Sequence, residues 1–212
     1  MKARNSTAVT LFIYLFMMFM PNFFSRMLSP KNGYFLLITV WYLLGLLLLV
    51  WLAYKRTPAN AIEAANPYTT KPKILIWGIV GGGVAIVLQL LSVFVEQNLF
   101  HITAVSQNTN ALLETMKTYP YYVVSVLVFL PIIEEIVYRK TIFGQLVPFT
   151  GKIGAAIISA LIFAFAHQDS HILMYSVIGL FFCFLYNYTG RIWTSMLAHI
   201  IMNGIVFFQS IH

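Results

Sequence analysis

Long apolar runs separated by short polar breaks make up almost the whole chain. They cover about residues 8–28, 34–54, 74–95, 120–147, 152–167, 171–188 and 192–209. Most lie near the ~20 residues that a helix needs to cross a hydrocarbon core. Lipid offers no partner to backbone N–H and C=O groups, and unbroken rather than alternating apolarity selects helices over barrel strands. The pattern predicts an all-α, polytopic transmembrane helical bundle of about seven spans, in one integral membrane domain over 1–212. The 8–28 run has Lys2 and Arg4 before it and Pro21 inside it but no small-x-small cleavage site after it, so it reads as a retained span rather than a removed signal.

The breaks carry their own expectations. Residues 55–73 hold four cations and three prolines and read as a surface loop. Residues 96–119 contain Glu96, His101, Asn108, Asn110, Glu114 and Lys117 and are expected to leave the bilayer or lie along it, an eighth, re-entrant or interfacial piece being the alternative. The 120–147 run would be about 42 Å long as one helix, so it should tilt or protrude. Residues 148–151 form the turn that ends it. Gly81, Gly82 and Gly83 inside the third run suit close helix contact, since nothing nearby resembles a phosphate-binding fingerprint.

Composition agrees with this picture. Of 212 residues, 60% are hydrophobic and 9% charged, against roughly 25% charged in soluble domains. A net charge of +7 would suggest nucleic acid in a soluble chain, but here the cations sit in loops and at span ends. With the amino terminus cytoplasmic, Lys2, Arg4, Lys55, Arg56, Lys71, Lys73, Arg139, Lys140, Lys152 and Arg191 fall inside and Arg26, Lys31 and Lys117 outside. That asymmetry explains the charge as membrane orientation, with a bacterial cell membrane as the expected location and no nucleic-acid partner. The single cysteine, Cys183, lies in an apolar run and reads as packing.

Ionisable residues within spans are the informative ones, because each costs about 2.5–3.5 kcal/mol even on lenient insertion scales. Glu134, Glu135, Arg139, His167 and His199 qualify. Neighbours on a helix point about 100° apart, so Glu134 and Glu135 face different surroundings. Glu135 and Arg139, at i and i+4, are placed to pair, which leaves Glu134 for proton transfer. Pro131 removes a backbone donor three residues earlier and is expected to kink the helix. Glu134 lies about 15 residues before the 148–151 turn and His167 about 17 after it, so an antiparallel hairpin brings them to equal depth. Phe163 shares a face with His167, and His199 shares one with Asn203. An interfacial charge cluster and ordinary interhelical hydrogen bonding are the plainer readings of these residues. His171 would join His167 in holding a metal only if that helix continued through Gln168, Asp169 and Ser170, where a loop is expected. Neither an HExxH nor a Cys-x-x-Cys spacing is present.

These residues resemble the CAAX protease and bacteriocin-processing (CPBP, or Abi) family of intramembrane endopeptidases. Its EExxxR, FxxxH and HxxxN motifs correspond to Glu134 to Arg139, Phe163 to His167 and His199 to Asn203, in order, within a catalytic core over 120–209. The resemblance implies that Glu134 and His167 activate water, that His199 and Asn203 stabilise the oxyanion, and that Glu135, Arg139 and Phe163 support the site. It leaves metal dependence open. Metal-free attack is the preferred expectation, and zinc held by Glu134, His167 and His199 the alternative. The expected substrate is a peptide or membrane-anchored protein, in bacteriocin self-immunity or peptide processing ahead of prenyl-protein trimming. Two other classes compete: a non-catalytic membrane scaffold or immunity factor of the same fold, and a proton-coupled transporter using the same ionisable groups.

Overall fold

In the computed structural model the apolar runs fold as helices, and no strand occurs among the described residues, which are 2–29, 33–66, 68–103 and 106–211. Lys31 and Pro67 of the sequence reading lie outside them. Helix α1 spans Lys2–Met27 and α2 spans Tyr34–Trp51, the latter running on through a π-helical turn at Leu52–Arg56. A short α3, Ala61–Ala64, precedes α4, Lys71–Phe100, and α5, Gln107–Thr118. The chain then climbs through a π-helical turn at Ser125–Phe129, α6 at Leu130–Glu134, and wide turns again over Glu135–Phe143. Helices α7 (Gly144–Ala166), α8 (Ile172–Thr189) and α9 (Ile192–Ile211) complete the bundle.

Six helical stretches among the described residues are long and apolar enough to cross a bilayer. One of them, Pro120–Ala166, is folded rather than straight, because Gly151 takes φ 68° and ψ 174° inside α7. That left-handed φ is open to glycine and costly for other residues. The leg after Gly151 returns along the leg before it: Ser159 Oγ donates to the Tyr138 carbonyl at 2.7 Å, and Tyr138 and Phe163 meet edge to face at 5.2 Å. The expected hairpin is therefore present, and it reconciles six apolar stretches with seven legs.

Small residues bring α4 close to α8 and α9. A methyl group on Gly81 would stand 2.7 Å from Leu185 Cδ1, and one on Gly82 would stand 2.6 Å from Ile201 Cγ2. Gly83 faces open space, so two glycines of the triplet serve the contact that the sequence suggests. In lipid, such close backbone approach supplies much of the attraction between helices. Helix α8 is the most enclosed of the apolar helices and α1 the least.

Two expectations about the breaks are corrected. The 55–73 segment is not merely a surface loop: Asn60 caps α3, donates to the Lys140 carbonyl at 3.0 Å and to Tyr186 Oη at 2.8 Å, and Glu63 pairs with Lys140. Burying these polar groups is tolerated because each finds a partner on a distant helix. The break after residue 95 is also displaced. Helix α4 continues to Phe100, and Glu96 is buried, accepting from the Met174 N–H at 3.1 Å and contacting His171 Nδ1 at 2.6 Å. The segment before α4 thus packs on Lys140 and Thr189, and the turn before α8 on Ser106 and Glu96.

Candidate active site

Three helical legs converge on one cavity of about 290 Å³, and Glu134, His167, His199 and Asn203 all line it. Glu134 is carried by α6, between two stretches of wide turns. Pro131 has no N–H to give, and the Leu130 N–H reaches back to the Ser125 carbonyl, an i to i−5 bond, which is where the helix widens. Thr141 Oγ1 donates five residues back to the Ile136 carbonyl at 2.8 Å, supporting the second wide stretch.

The two adjacent glutamates do face different surroundings. Glu135 is fully buried, with Oε2 3.4 Å from Arg139 Nε and Oε1 3.1 Å from His199 Nδ1. Glu134 keeps partial access to the cavity, its Oε2 3.7 Å from His199 Nε2. His199 therefore sits between two carboxylates. A carboxylate only accepts, so Nδ1 of His199 carries the hydrogen that faces Glu135. The Arg139 guanidinium packs 4.5 Å from the centre of the Phe163 ring and under 6 Å from those of Tyr138 and Phe182. It is held by its ion pair and by ring faces, an arrangement suited to a planar cation.

His167 ends α7. Its Nδ1 lies 2.8 Å from the Phe163 carbonyl, which only accepts, so the hydrogen is on Nδ1 and the Nε2 lone pair is left free. Phe163 packs on its ring at 4.5 Å, as the i, i+4 spacing predicts. Tyr175 also packs on the imidazole, stacked at 4.0 Å and 22°. No sequence signal marks that contact, because Tyr175 reaches His167 only after the chain turns at Asp169. His171 does not join His167: it contacts Glu96 instead.

Sequence reasoning also missed the rest of the wall. Gln89 of α4, Asn108 of α5, and the tyrosines Tyr14, Tyr42, Tyr122 and Tyr138 line the cavity together with Met18, Met116, Met174 and Met202. Tyr138 could have been found, since it follows Glu134 by four residues. The residues from α1, α2, α4 and α5 could not, because no local spacing connects them to the motifs.

Helix α5 covers one side of the cavity and is fastened at its start. Ser106 Oγ donates to Asp169 Oδ2 at 2.6 Å, and the Asn108 N–H donates to the same oxygen at 3.1 Å. Burial pushes the Asp169 carboxyl up, but bonds from Ser106, Asn108 and the His171 N–H outweigh it and hold the group below the usual carboxylate range. A group whose folded value is depressed stabilises the fold above its unfolded value and loses that contribution as pH falls through the folded one. Protection against hydrogen exchange over 107–118, taken relative to the unfolded chain at the same pH, should therefore fall as pH drops below about 3.9, the ordinary aspartate value. Asp169→Asn should lower that protection already at neutral pH and leave it nearly independent of pH over the same range.

The donor set for zinc has the right chemistry but not the placement. Among the described residues no three His, Cys, Asp or Glu side chains come together closely enough to hold a metal ion. His199 Nδ1 is engaged by Glu135 and His167 Nδ1 by a carbonyl, leaving one nitrogen on each ring. The residues as arranged do not form a ligand shell.

A helical membrane bundle whose cavity is lined by a carboxylate, two imidazoles and an amide defines a class of membrane-embedded protein with groups able to give and take protons inside it. The chain belongs to the CPBP family of CAAX-type membrane peptidases. The family profile described as type II CAAX prenyl endopeptidase, Rce1-like, matches residues 116–205. The chain is 30% identical over 171 residues to the membrane-embedded CAAX protease MroQ of Staphylococcus aureus, covering 77% of this chain and 68% of that one. It is 38% identical over 133 residues to the protein named membrane peptidase YdiL of Bacillus subtilis, covering 62% of this chain and 54% of the relative. The chain thus spans about half the length of that relative. No solved structure matches it.

Proposed function

We propose that this chain is an intramembrane endopeptidase that cleaves peptides or membrane-anchored proteins by water attack within the cavity. The observation that carries this reading is the placement of Glu134, His167, His199 and Asn203 around one cavity, with Glu134 the one carboxylate of the adjacent pair that faces it. Glu134 takes a proton from water while the free Nε2 of His167 helps orient that water. The Asn203 amide donates to the carbonyl oxygen as it becomes an oxyanion, and His199, whose Nδ1–H is taken by Glu135, joins it through Nε2 when the ring carries both hydrogens. Prepositioned donors of this kind are worth about 10²–10³ in rate each where water is excluded. When the tetrahedral intermediate collapses, Glu134 returns the proton to the leaving amine and the C–N bond breaks.

We favour water attack without a metal, since no three His, Cys, Asp or Glu side chains converge among the described residues; zinc on the open Nε2 atoms of His167 and His199 is the alternative, an Nδ1 held by an acceptor being compatible with ligation through Nε2. The family and the named relatives support a peptidase. Bacteriocin-like or leader-bearing peptides remain the preferred substrates, with prenylated tails second, at a bacterial cell membrane with the amino terminus cytoplasmic.

The test uses purified protein in liposomes, presented with farnesylated tails and leader-bearing peptides and read by mass spectrometry. Internal cleavage that survives a chelator and is lost in His167→Ala is the expected result. Cleavage abolished by chelation and restored by zinc would overturn the metal-free mechanism. No product from any peptide, with a cellular phenotype unchanged by His167→Ala, would favour the scaffold reading.

A further inference from the structure

The cavity contains a polar pair that the steps above leave unused. Tyr14 of α1 and Tyr138 bring their phenolic oxygens to 2.7 Å, with their rings edge to face at 5.7 Å and 81°. Both side chains are buried, and both line the cavity that holds Glu134. Tyr138 is fixed from three sides: its ring meets Phe163, its carbonyl accepts from Ser159, and its oxygen meets Tyr14. Two phenols bring two hydrogens, and the contact between them uses one. Neither makes a second hydrogen bond among the described residues, so one O–H is left to donate.

The neighbourhood explains why a neutral donor suits this place. A lysine or arginine so near Glu134 would pair with it and blunt its basicity, whereas a phenol can give a hydrogen bond without adding charge. A peptide drawn into a cavity within the membrane leaves its carbonyls without water, and each needs a donor. Tyr14 also lies outside residues 116–205, so the amino-terminal helix would take part in binding rather than only packing.

Building on the peptidase reading, we propose that Tyr14 and Tyr138 form a substrate-binding phenol pair, whose free O–H donates to a backbone carbonyl of the bound peptide beside the scissile bond. The pair holds the peptide in register against Glu134. It makes the same bond in the ground state and the transition state, so its loss should appear in KM rather than kcat.

The experiment compares wild type with Tyr14→Phe, Tyr138→Phe and the double variant on one fluorescence-quenched farnesylated tail peptide and one leader-bearing peptide in liposomes. Phenylalanine keeps the ring packing, so the unfolding temperature should stay at the wild-type value. The double variant should raise KM about tenfold, the size of one hydrogen bond, with kcat within about threefold. It should be no worse than the more affected single variant, because the pair acts as a unit. A double variant with KM within about twofold of wild type while wild type cleaves would overturn the pairing role alone. So would a lowered unfolding temperature with unchanged KM, the mark of a packing role. Wild type that cleaves neither peptide would remove the peptidase reading on which the inference rests.

Discussion

Glu134→Gln is expected to lower kcat by about 10²–10⁴, the usual contribution of a positioned general base. The change keeps shape and volume and removes only the capacity to accept a proton. Its neighbour cannot substitute for it. Glu135 is fully buried, with one oxygen toward Arg139 and the other toward His199, so moving it to the cavity would strip two partners of their counter-charge. Steady-state cleavage of a liposome-bound peptide, with helicity followed by circular dichroism, provides the check. A variant cleaving within about threefold of wild type would assign the base to another group.

Arg139→Ala should be the most destabilising single change in the motif set, by about 3–5 kcal/mol, the cost of leaving a buried charge unpaired. The guanidinium balances Glu135 at 0% exposure on both sides and fills the space between the Phe163, Tyr138 and Phe182 rings. Arg139→Lys should recover only part of that loss, since a point charge on a flexible stem cannot lie flat on Phe163. Denaturant unfolding in detergent reads both. Wild-type stability in Arg139→Ala would mean that Glu135 is neutral and the ion pair is not what braces His199.

The apolar spans were legible because lipid imposes one local rule on every helix, and hydropathy reads that rule directly. The hairpin was legible through arithmetic: equal distances from residues 148–151 bring Glu134 and His167 to one depth, and the reversal at Gly151 delivers them to the same cavity. Local i, i+4 spacings also gave the Glu135 contact with Arg139 and the Phe163 contact with His167. What the sequence hid depends on partners far along the chain. Glu96 looked like the start of a solvent-exposed stretch, yet a His 75 positions away receives it in the interior. Asn60 and Glu63 looked like loop residues until Lys140 and Tyr186 are placed beside them. Tyr175 behind His167 and Tyr14 beside Tyr138 belong to the same class, because side chains on separate helices have no spacing to betray them. The wide turns around α6 had a partial signal in Pro131, which announces a missing donor but not the longer bonds that replace it.

The most direct test of the central claim is single-turnover cleavage alongside binding of the same membrane-anchored peptide, for wild type, Glu134→Gln and Glu135→Gln in liposomes. The account predicts that Glu134→Gln binds the peptide within a few-fold of wild type and forms no product, while Glu135→Gln, whose carboxylate never reaches the cavity, retains slow cleavage. Product formed by Glu134→Gln at the wild-type rate would contradict the account and place the chemistry elsewhere.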